Sequence, residues 1–234
     1  MKLYNQDKTK LVNSVFNEVY KKYDIMNDLM SFGAHRIWKK NLITWMNPQE
    51  GESLIDVASG TGDLALSFSK KIKEKSKIVC VEPNKSMLSI GKNKLKNIKN
   101  VSWYLASAEK LPFNDNVFDF YSISFGIRNV SNINKCLQEA YRVLKTGGRF
   151  FCLEFSKVEN EILKIFYEKY SKAIPNIGRY IVGKSMPYEY LINSINNFHN
   201  QKELCAIIKN NGFENVEYRN LSGGISAIHS GWKI

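Results

Sequence analysis

The sequence lacks any apolar run of about 18 or more residues, the length that a membrane-spanning helix requires. Its first residues, MKLYNQDKTK, contain no apolar core, so we expect no secretory signal. The chain nevertheless has 234 residues, of which 44% are hydrophobic. This content is enough for one α/β domain with a buried core, which we expect in the cytoplasm.

Cysteine is scarce, and the four cysteines lie far apart in the sequence. None forms a C-x-x-C pair, and the spacing typical of metal ligands is absent, so we predict no metal site. Cys80 and Cys152 lie inside apolar, strand-like runs. We interpret the cysteines as core thiols of a protein in a reducing compartment.

Arginine is scarce although the chain is basic, with 34 Lys and Arg against 22 Asp and Glu and a net charge of +12. No run of Lys and Arg is dense enough for a nucleic-acid tract, so we expect no nucleic-acid partner. The joint excess of Lys and Asn fits a compositional bias of the source. Attraction to an anionic membrane surface is the alternative explanation.

Apolar strand-like runs alternate with helical patterns through most of the chain. Strands are predicted at 53–58, 77–82, 101–105, 117–124 and 148–155, and helices at 8–22, 35–46, 62–73, 84–96, 131–144 and about 160–173. The alternation predicts an α/β fold with a parallel, doubly wound sheet. The last residues predict two further strands around Ser222-Gly223-Gly224.

We interpret the chain as a single domain of four segments. Residues 1–50 are an N-terminal helical segment, 51–155 the cofactor-binding core, 156–198 an inserted helical cap, and 199–234 a C-terminal helix and strand pair. The cap is rich in Tyr, Phe and Ile. These side chains either cover a ligand or belong to the core.

A glycine-rich loop follows the first predicted strand in LIDVASGTGDLALSF. Gly60 and Gly62 belong to a G-x-G-x-x-[GA] pattern, which alone is a weak signal for a dinucleotide. Asp56 and Asp63 count against a pyrophosphate. A pyrophosphate would bind at the start of the helix, where the negative charge of Asp63 would repel it. Asp63 could also simply stabilise the helix start. The carboxylates favour a positively charged nucleoside, and S-adenosylmethionine has an ammonium and a sulfonium.

Two later stretches fit the other end of such a nucleoside. Glu82 ends the second strand about 20 residues further on, where an acid can accept hydrogen bonds from both ribose hydroxyls. The loop ASAEKLPF after the third strand fits the adenine end.

Motifs along nearly the whole chain resemble those of the UbiE/COQ5 family of quinol C-methyltransferases. The most specific are YDIMNDLMSFGAHRIWK and FGIRNV; DVASGTGDLA, RVLKTGGRFFCLEFS, YEYLINSINNF and NLSGGISAIHSGWK resemble further signatures. Ser59 stands where the family more often has Gly. The resemblance implies a class I S-adenosylmethionine-dependent methyltransferase. That Rossmann-like fold has seven strands, the last antiparallel, here with N-terminal helices and the inserted cap.

The resemblance also implies an activity, partners and cofactor contacts. The activity is C-methylation of a polyprenyl benzoquinol and/or demethylmenaquinol in ubiquinone or menaquinone biosynthesis. A peripheral position at the inner membrane face would follow, or the mitochondrial matrix in a eukaryote, and a homodimer or quinone-biosynthesis complex is left open. The resulting set of cofactor-binding residues is Asp56, Gly60, Thr61, Gly62, Asp63, Glu82, Ser107, Ala108 and Ser124.

Four side chains are candidates for the chemistry at the ring carbon, which becomes nucleophilic when the phenol loses its proton. Arg128 stays protonated and would stabilise the phenolate, and Asn129 would orient the hydroxyl. Tyr23 and His35 would close over the quinol, with His35 the most base-like. The alternatives are a structural ion pair for Arg128 and a capping role for His35.

Other functions explain the sequence less well. An RNA or protein methyltransferase lacks support because no [ND]-P-P-[YF] acceptor motif is present. Another small-molecule methyltransferase and a non-catalytic subunit of a quinone-biosynthesis complex are the alternatives to quinol methylation. A non-catalytic subunit would first lose residues such as Gly60 and Arg128, which this chain retains. A nicotinamide oxidoreductase is disfavoured because Asp63 would repel the pyrophosphate of its cofactor.

Overall fold

The structure is a computed structural model that describes residues 23–72, 76–182 and 186–234. The helix predicted at 8–22 lies outside these residues. The described helices are α1 (Tyr23–Ser31), α2 (His35–Met46), α3 (Asp63–Ser69), α4 (Lys85–Lys94), α5 (Ile133–Val143), α6 (Glu161–Val182), α7 (Met186–Asn196) and α8 (Gln201–Asn210). The strands are β1 (Leu54–Val57), β2 (Ile78–Val81), β3 (Val101–Tyr104), β4 (Phe118–Ser124), β5 (Leu144–Phe155), β6 (Glu214–Leu221) and β7 (Ser226–Trp232).

The strands form one sheet in the order β3-β2-β1-β4-β5-β7-β6. The first five strands are parallel, whereas β7 runs antiparallel to both β5 and β6. This arrangement confirms the predicted seven-strand, doubly wound sheet with its last strand antiparallel. The strand order reverses between β1 and β4, and ligands of open α/β sheets bind at the carboxyl ends of the strands at such a point.

Successive residues of the central strands enter two separate cores, one on each face of the sheet. Leu54 of β1 packs in a cluster with side chains of α2 and α3, such as Leu42 and Phe68. The next residue, Ile55, belongs to the opposite cluster, which includes Leu137 of α5. Because both faces are covered, the strands read as continuous apolar runs. Three of the predicted core cysteines, Cys80, Cys136 and Cys152, are buried in these clusters, and Cys205 is partly exposed.

The observed elements differ from the predicted ones mainly at their ends. The fifth strand begins at Leu144 rather than 148, because Leu144 already pairs with Phe118 of β4. The same extension is held by Gly147, whose N–H donates to the carbonyl of Lys233 at 2.7 Å. Helix α3 ends at Ser69, whereas α6 continues to Val182. No helix in the described ranges is long and apolar enough to cross a bilayer.

The ring of Trp103 on β3 fills a space that two glycines leave open. A Cβ at Gly91 of α4 would lie 2.1 Å from this ring, and one at Gly62, before α3, would lie 3.0 Å from it. Gly62 also has a φ of +81°, which residues with a side chain rarely adopt. The ring therefore connects the packing of α4 to the backbone of the glycine-rich loop.

We expect Gly91→Ala to destabilise the protein. Alanine would contribute roughly 1 kcal/mol of helix propensity, but overpacking in a filled core typically costs about 1–3 kcal/mol, and a contact of 2.1 Å cannot be relieved without moving Trp103. Urea unfolding measures the net change. Ser89→Ala, at an exposed position of the same helix, is the control and should change stability by less than about 0.5 kcal/mol. A more stable Gly91→Ala protein would contradict the packing argument.

Candidate functional site

The carboxyl ends of β1 and β4 border a cleft of about 350 Å³, measured with its open mouth. Three kinds of side chain line it: small residues of the glycine-rich loop, polar and charged groups, and two apolar residues. They are Lys39, Asp56, Ala58, Ser59, Gly60, Thr61, Asp63, Leu64, Ser124 and Phe125. The cleft thus lies at the reversal of strand order, where the topology predicts a ligand.

Two lining residues have a left-handed backbone. Ala58, after β1, has a φ of 53°, and Phe125, after β4, has a φ of 55°. Such conformations cost on the order of 1–3 kcal/mol for a residue with a side chain, and they cluster at functional sites. The two strand ends meet at Gly126, where a Cβ would lie only 2.6 Å from the Cβ of Ala58. Glycine at position 126 therefore leaves the room that the Ala58 side chain occupies at the edge of the cleft.

The carboxyl of Glu82 joins the ends of β1 and β2. Its Oε2 accepts a hydrogen bond from the N–H of Gly60 at 2.8 Å, and its Oε1 accepts one from the N–H of Asn84 at 2.9 Å. The residue is only 5% exposed, and burial raises the pKa of Glu82 to about 7. Glu82 therefore holds the glycine-rich loop. Each oxygen retains a further lone pair for a ligand hydroxyl.

Asp56 places a second carboxyl against the cleft. Its Oδ1 accepts a hydrogen bond from Ser122 Oγ at 2.7 Å, whereas its buried Oδ2 has no partner among the described residues. Burial raises the pKa of Asp56 to about 7, although the Ser122 hydroxyl and the Lys39 ammonium oppose that shift. An incompletely satisfied buried carboxyl is a strong acceptor for a cationic ligand.

Asp63, at the start of α3, is paired with two lysines. Lys39 Nζ donates to Oδ2 at 2.8 Å, and Lys94 Nζ donates to Oδ1. Although partial burial acts in the opposite direction, the two ammonium groups lower the pKa of Asp63. Its charge is therefore largely balanced, so Asp63 opposes a pyrophosphate less strongly than its position at the start of α3 indicates.

His35 is the first residue of α2, and its imidazole is 1% exposed. Its Nε2 lies 3.0 Å from Asp28 Oδ1, and its buried Nδ1 has no partner in the described ranges. Burial and the Lys39 ammonium lower the pKa of His35, so the ring is neutral at neutral pH. The side chain pairs with Asp28 rather than capping the helix.

Arg128 lies in a 3₁₀ turn after β4, outside the cleft lining, and is almost fully buried. Its Nη1 donates to Glu154 Oε1 at 2.5 Å and to the carbonyl of Phe125 at 2.9 Å. Arg128 Nε is buried without a partner among the described residues. The buried ion pair corresponds to the structural alternative for Arg128, while the bond to Phe125 connects it to the cleft wall.

The remaining candidates fall into two groups. Gly60, Thr61 and Ser124 line the cleft, and the Ser124 hydroxyl is buried without a partner within the described part of the chain. The others are not lining residues. Gly62 precedes α3, Ser107 is exposed and Ala108 is buried. Asn129 accepts a hydrogen bond from the Tyr190 hydroxyl at 2.9 Å, and Tyr23 begins α1 with its side chain outside the described part.

The sequence reasoning missed Lys39 and Glu154. A signal for Lys39 existed, since it shares the buried stripe of α2 with His35, Trp38, Leu42 and Met46. A charged residue in an apolar stripe usually has a partner. Glu154 carried no comparable signal, because it lies inside an apolar strand, 26 residues from Arg128.

The polar atoms in and beside the cleft suit S-adenosylmethionine. Asp56 Oδ2 and Ser124 Oγ are buried acceptors without partners among the described residues. The carboxyl of Glu82 stands behind the loop at Gly60, near the end of β2. The loop itself has positive φ values at Gly60 and Gly62, so its backbone can approach a ligand closely.

Solved structures with the same fold define the class. A possible histamine N-methyltransferase from Thermotoga maritima matches with a TM-score of 0.66 and 22% identity, covering 95% of this chain and 99% of its own. A methyltransferase from Aquifex aeolicus matches with a TM-score of 0.66 and 21% identity, covering 92% of this chain and 97% of its own. Both are S-adenosylmethionine-dependent methyltransferases, and the fold is that of class I enzymes of this kind.

The family to which the chain belongs is a narrower group than the fold class. The model of the ubiE/COQ5 methyltransferase family matches residues 2–233, so the chain belongs to that family. A Brucella suis protein named ubiquinone/menaquinone biosynthesis C-methyltransferase UbiE is 49% identical over 97% of this chain and 87% of its own length. A protein of the same name from Rickettsia bellii is 50% identical over 100% of this chain and 96% of its own.

The raised pKa of Asp56 predicts how stability depends on pH. The native state keeps this proton up to about pH 7, whereas the unfolded chain releases it near its ordinary value of about 4, so native stability falls as pH rises between these values. Asp56→Asn has no side chain that titrates at this position. Its stability relative to the wild type should therefore increase with pH, by up to about 1.4 kcal/mol per pH unit.

Urea unfolding of the ligand-free protein at about pH 5 and about pH 7.5 measures this difference. Asp119→Asn is the control, because Lys145 and Ser53 outweigh burial and lower the pKa of Asp119, which is then ionised throughout this range. A pH-independent difference for Asp56→Asn would mean that Asp56 is ionised in the native state.

Proposed function

We propose that this protein transfers the methyl group of S-adenosylmethionine to a ring carbon of a polyprenyl benzoquinol and/or demethylmenaquinol, in ubiquinone and/or menaquinone biosynthesis. The observation that carries the proposal is the roughly 50% identity, over the whole chain, to proteins named for that activity. The direct test incubates the purified protein with S-adenosylmethionine and short-tailed quinols of both ring types. Mass spectrometry should find a product one methyl group heavier with one or both.

The cofactor residues supported by the geometry lie at three strand ends. Asp56 is the third residue of β1, and its Oδ2, which has no partner among the described residues, suits the ammonium. Glu82 follows β2 and would accept hydrogen bonds from the ribose hydroxyls. Ser124 ends β4, and its hydroxyl has no partner within the described ranges. When bound, S-adenosylmethionine supplies an electrophilic methyl group on its sulfonium.

Two of the four residues proposed for the acceptor ring act on its phenolic oxygen. A neutral His35 can accept the phenolic proton, and Arg128 can stabilise the phenolate from behind Phe125, directly or through a water. Proton removal increases electron density on the ring carbon beside the oxygen, which makes that carbon nucleophilic. Asn129, held by Tyr190, and Tyr23 complete the proposed acceptor set.

Arg128→Lys should lower kcat for a short-tailed quinol at least about tenfold. Lysine keeps the charge but loses the planar guanidinium, whose Nη1 donates to both Glu154 and the Phe125 carbonyl and whose buried Nε has no partner among the described residues. Calorimetry should find the affinity for S-adenosylhomocysteine nearly unchanged, which also shows that the variant is folded. A wild-type kcat would place Arg128 in a purely structural role.

We propose that the protein contacts the surface of an anionic bilayer, where a polyprenyl quinol resides. Exposed apolar side chains on α6 support this surface: Ile162 is 70%, Ile165 54% and Phe166 68% exposed. Phe32 extends the patch, since its ring stacks on Tyr170 of α6 with centroids 3.8 Å apart. Exposed lysines at positions 164 and 169 flank the patch and suit anionic headgroups.

Ile165→Ser/Phe166→Ser should bind anionic vesicles several-fold more weakly than the wild type, because two apolar anchors are lost. Vesicle co-sedimentation measures the binding. Ile234→Ser, which removes an equally exposed apolar side chain at the end of the chain, is the control and should bind normally. Equal binding by all three proteins would mean that another part of the chain, or none, meets the bilayer.

A further inference from the structure

Lys39 brings a positively charged side chain to the lining of the cleft. It lies on α2, one turn after His35, and its side chain is 11% exposed. Among the described residues that line the cleft, it is the one that carries positive charge. It faces the same space as Asp56, whose pKa it affects through its charge. A buried lysine at a ligand cleft therefore needs a reason beyond solubility.

The ion pair with Asp63 does not by itself account for Lys39. Asp63 accepts from Lys39 through Oδ2 and from Lys94 through Oδ1, so each carboxyl oxygen has its own lysine. Lys94 ends α4 and lies outside the cleft lining. Asp63 would remain paired with Lys94 if the Lys39 ammonium turned towards a ligand, and the long lysine side chain permits such a turn.

The methionine end of S-adenosylmethionine carries charges of both signs: an ammonium, a sulfonium and a carboxylate. Asp56 Oδ2, buried and without a partner in the described part of the chain, suits the ammonium. The carboxylate would be repelled by Asp56 and Asp63 if the cleft held acids alone. Lys39 Nζ, 2.8 Å from Asp63 Oδ2, is the donor placed to offset that repulsion.

We propose that Lys39 binds the carboxylate of the cofactor's methionine end and so makes the site selective for nucleosides that carry an amino acid. Lys39 and Asp56 form a pair of opposite charges for the zwitterion, with Lys94 keeping Asp63 neutralised. This inference rests on the proposed cofactor. It assigns to α2, on the N-terminal side of the core, a specificity role that the glycine-rich loop cannot supply.

The test compares two nucleosides that differ in the amino acid. S-adenosylhomocysteine carries the carboxylate, whereas 5′-methylthioadenosine has the same adenosine and thioether without it. Calorimetry measures both affinities in the wild type, in Lys39→Met, which keeps the length without the charge, and in Lys94→Met. Binding of 5′-methylthioadenosine reports on an intact nucleoside site in the same samples.

Lys39→Met should weaken S-adenosylhomocysteine about tenfold or more, as expected for loss of a charge-assisted hydrogen bond, while 5′-methylthioadenosine changes less than about twofold. Lys94→Met should keep the wild-type ratio of the two affinities. Lys39→Gln, which is shorter and polar, should show the same loss of selectivity as Lys39→Met.

Failure of the Lys39 proposal can be distinguished from failure of the proposed cofactor. Equal weakening of both nucleosides in Lys39→Met and Lys39→Gln would mean that Lys39 acts only by holding Asp63 and the loop, and would overturn the proposal. Unchanged affinity for both would do the same. A wild-type protein that binds neither nucleoside would instead refute the proposed cofactor itself.

Discussion

The burial of carboxyl groups at the ends of β1 and β2 is the constraint on which the rest of the site depends. A buried carboxyl is unfavourable unless hydrogen bonds replace its hydration. Glu82 obtains them from the backbone N–H groups of Gly60 and Asn84, and in doing so it determines the position of the glycine-rich loop. Asp56 obtains one from Ser122 and retains an oxygen without a partner in the described ranges. One acid thus shapes the loop and the other remains available to a ligand.

Two other acids near the cleft are balanced by basic side chains. Asp63 is balanced by Lys39 and Lys94 on one side, and Glu154 is balanced by Arg128 on the other. Removing one member of a buried pair leaves an uncompensated charge, which typically costs about 3–5 kcal/mol. The structure therefore restricts substitution at Arg128 and Glu154, which are 2% and 1% exposed and lie outside the cleft lining. Burial also keeps water from screening this pair, whereas Asp63 and Lys94 remain partly exposed.

The fold was predictable to a large extent, because the central strands are apolar runs bounded by turn residues and the helices carry an apolar stripe. Helix α2 was predicted with its observed bounds, residues 35–46, and the strand pair around Ser222-Gly223-Gly224 is present. Strand and helix ends were less predictable. The start of β5 depends on Lys233, which is distant in sequence.

The site was predictable only where a local motif determines it. The glycine-rich loop and the acid after β2 are such motifs: the loop lines the cleft, and Glu82 accepts a hydrogen bond from the N–H of Gly60 in that loop. The partner of Arg128 is 26 residues away, and the two partners of Asp63 are 24 and 31 residues away, so only tertiary packing brings them together. That is why the sequence motif indicates an acid at the start of α3 but not the two lysines that neutralise it.

The sheet ends in β6, and the composition of this strand has a consequence for association. The strand includes the exposed Glu214, Glu217 and Arg219, and Glu217 pairs with Arg149 of β5, across the intervening β7. Charged side chains on an edge strand discourage another chain from adding a strand there. Continuation of the sheet across a two-fold axis at β6 is therefore disfavoured. A dimer of this protein would therefore use a surface other than β6, and the same charges disfavour edge-to-edge aggregation at this strand.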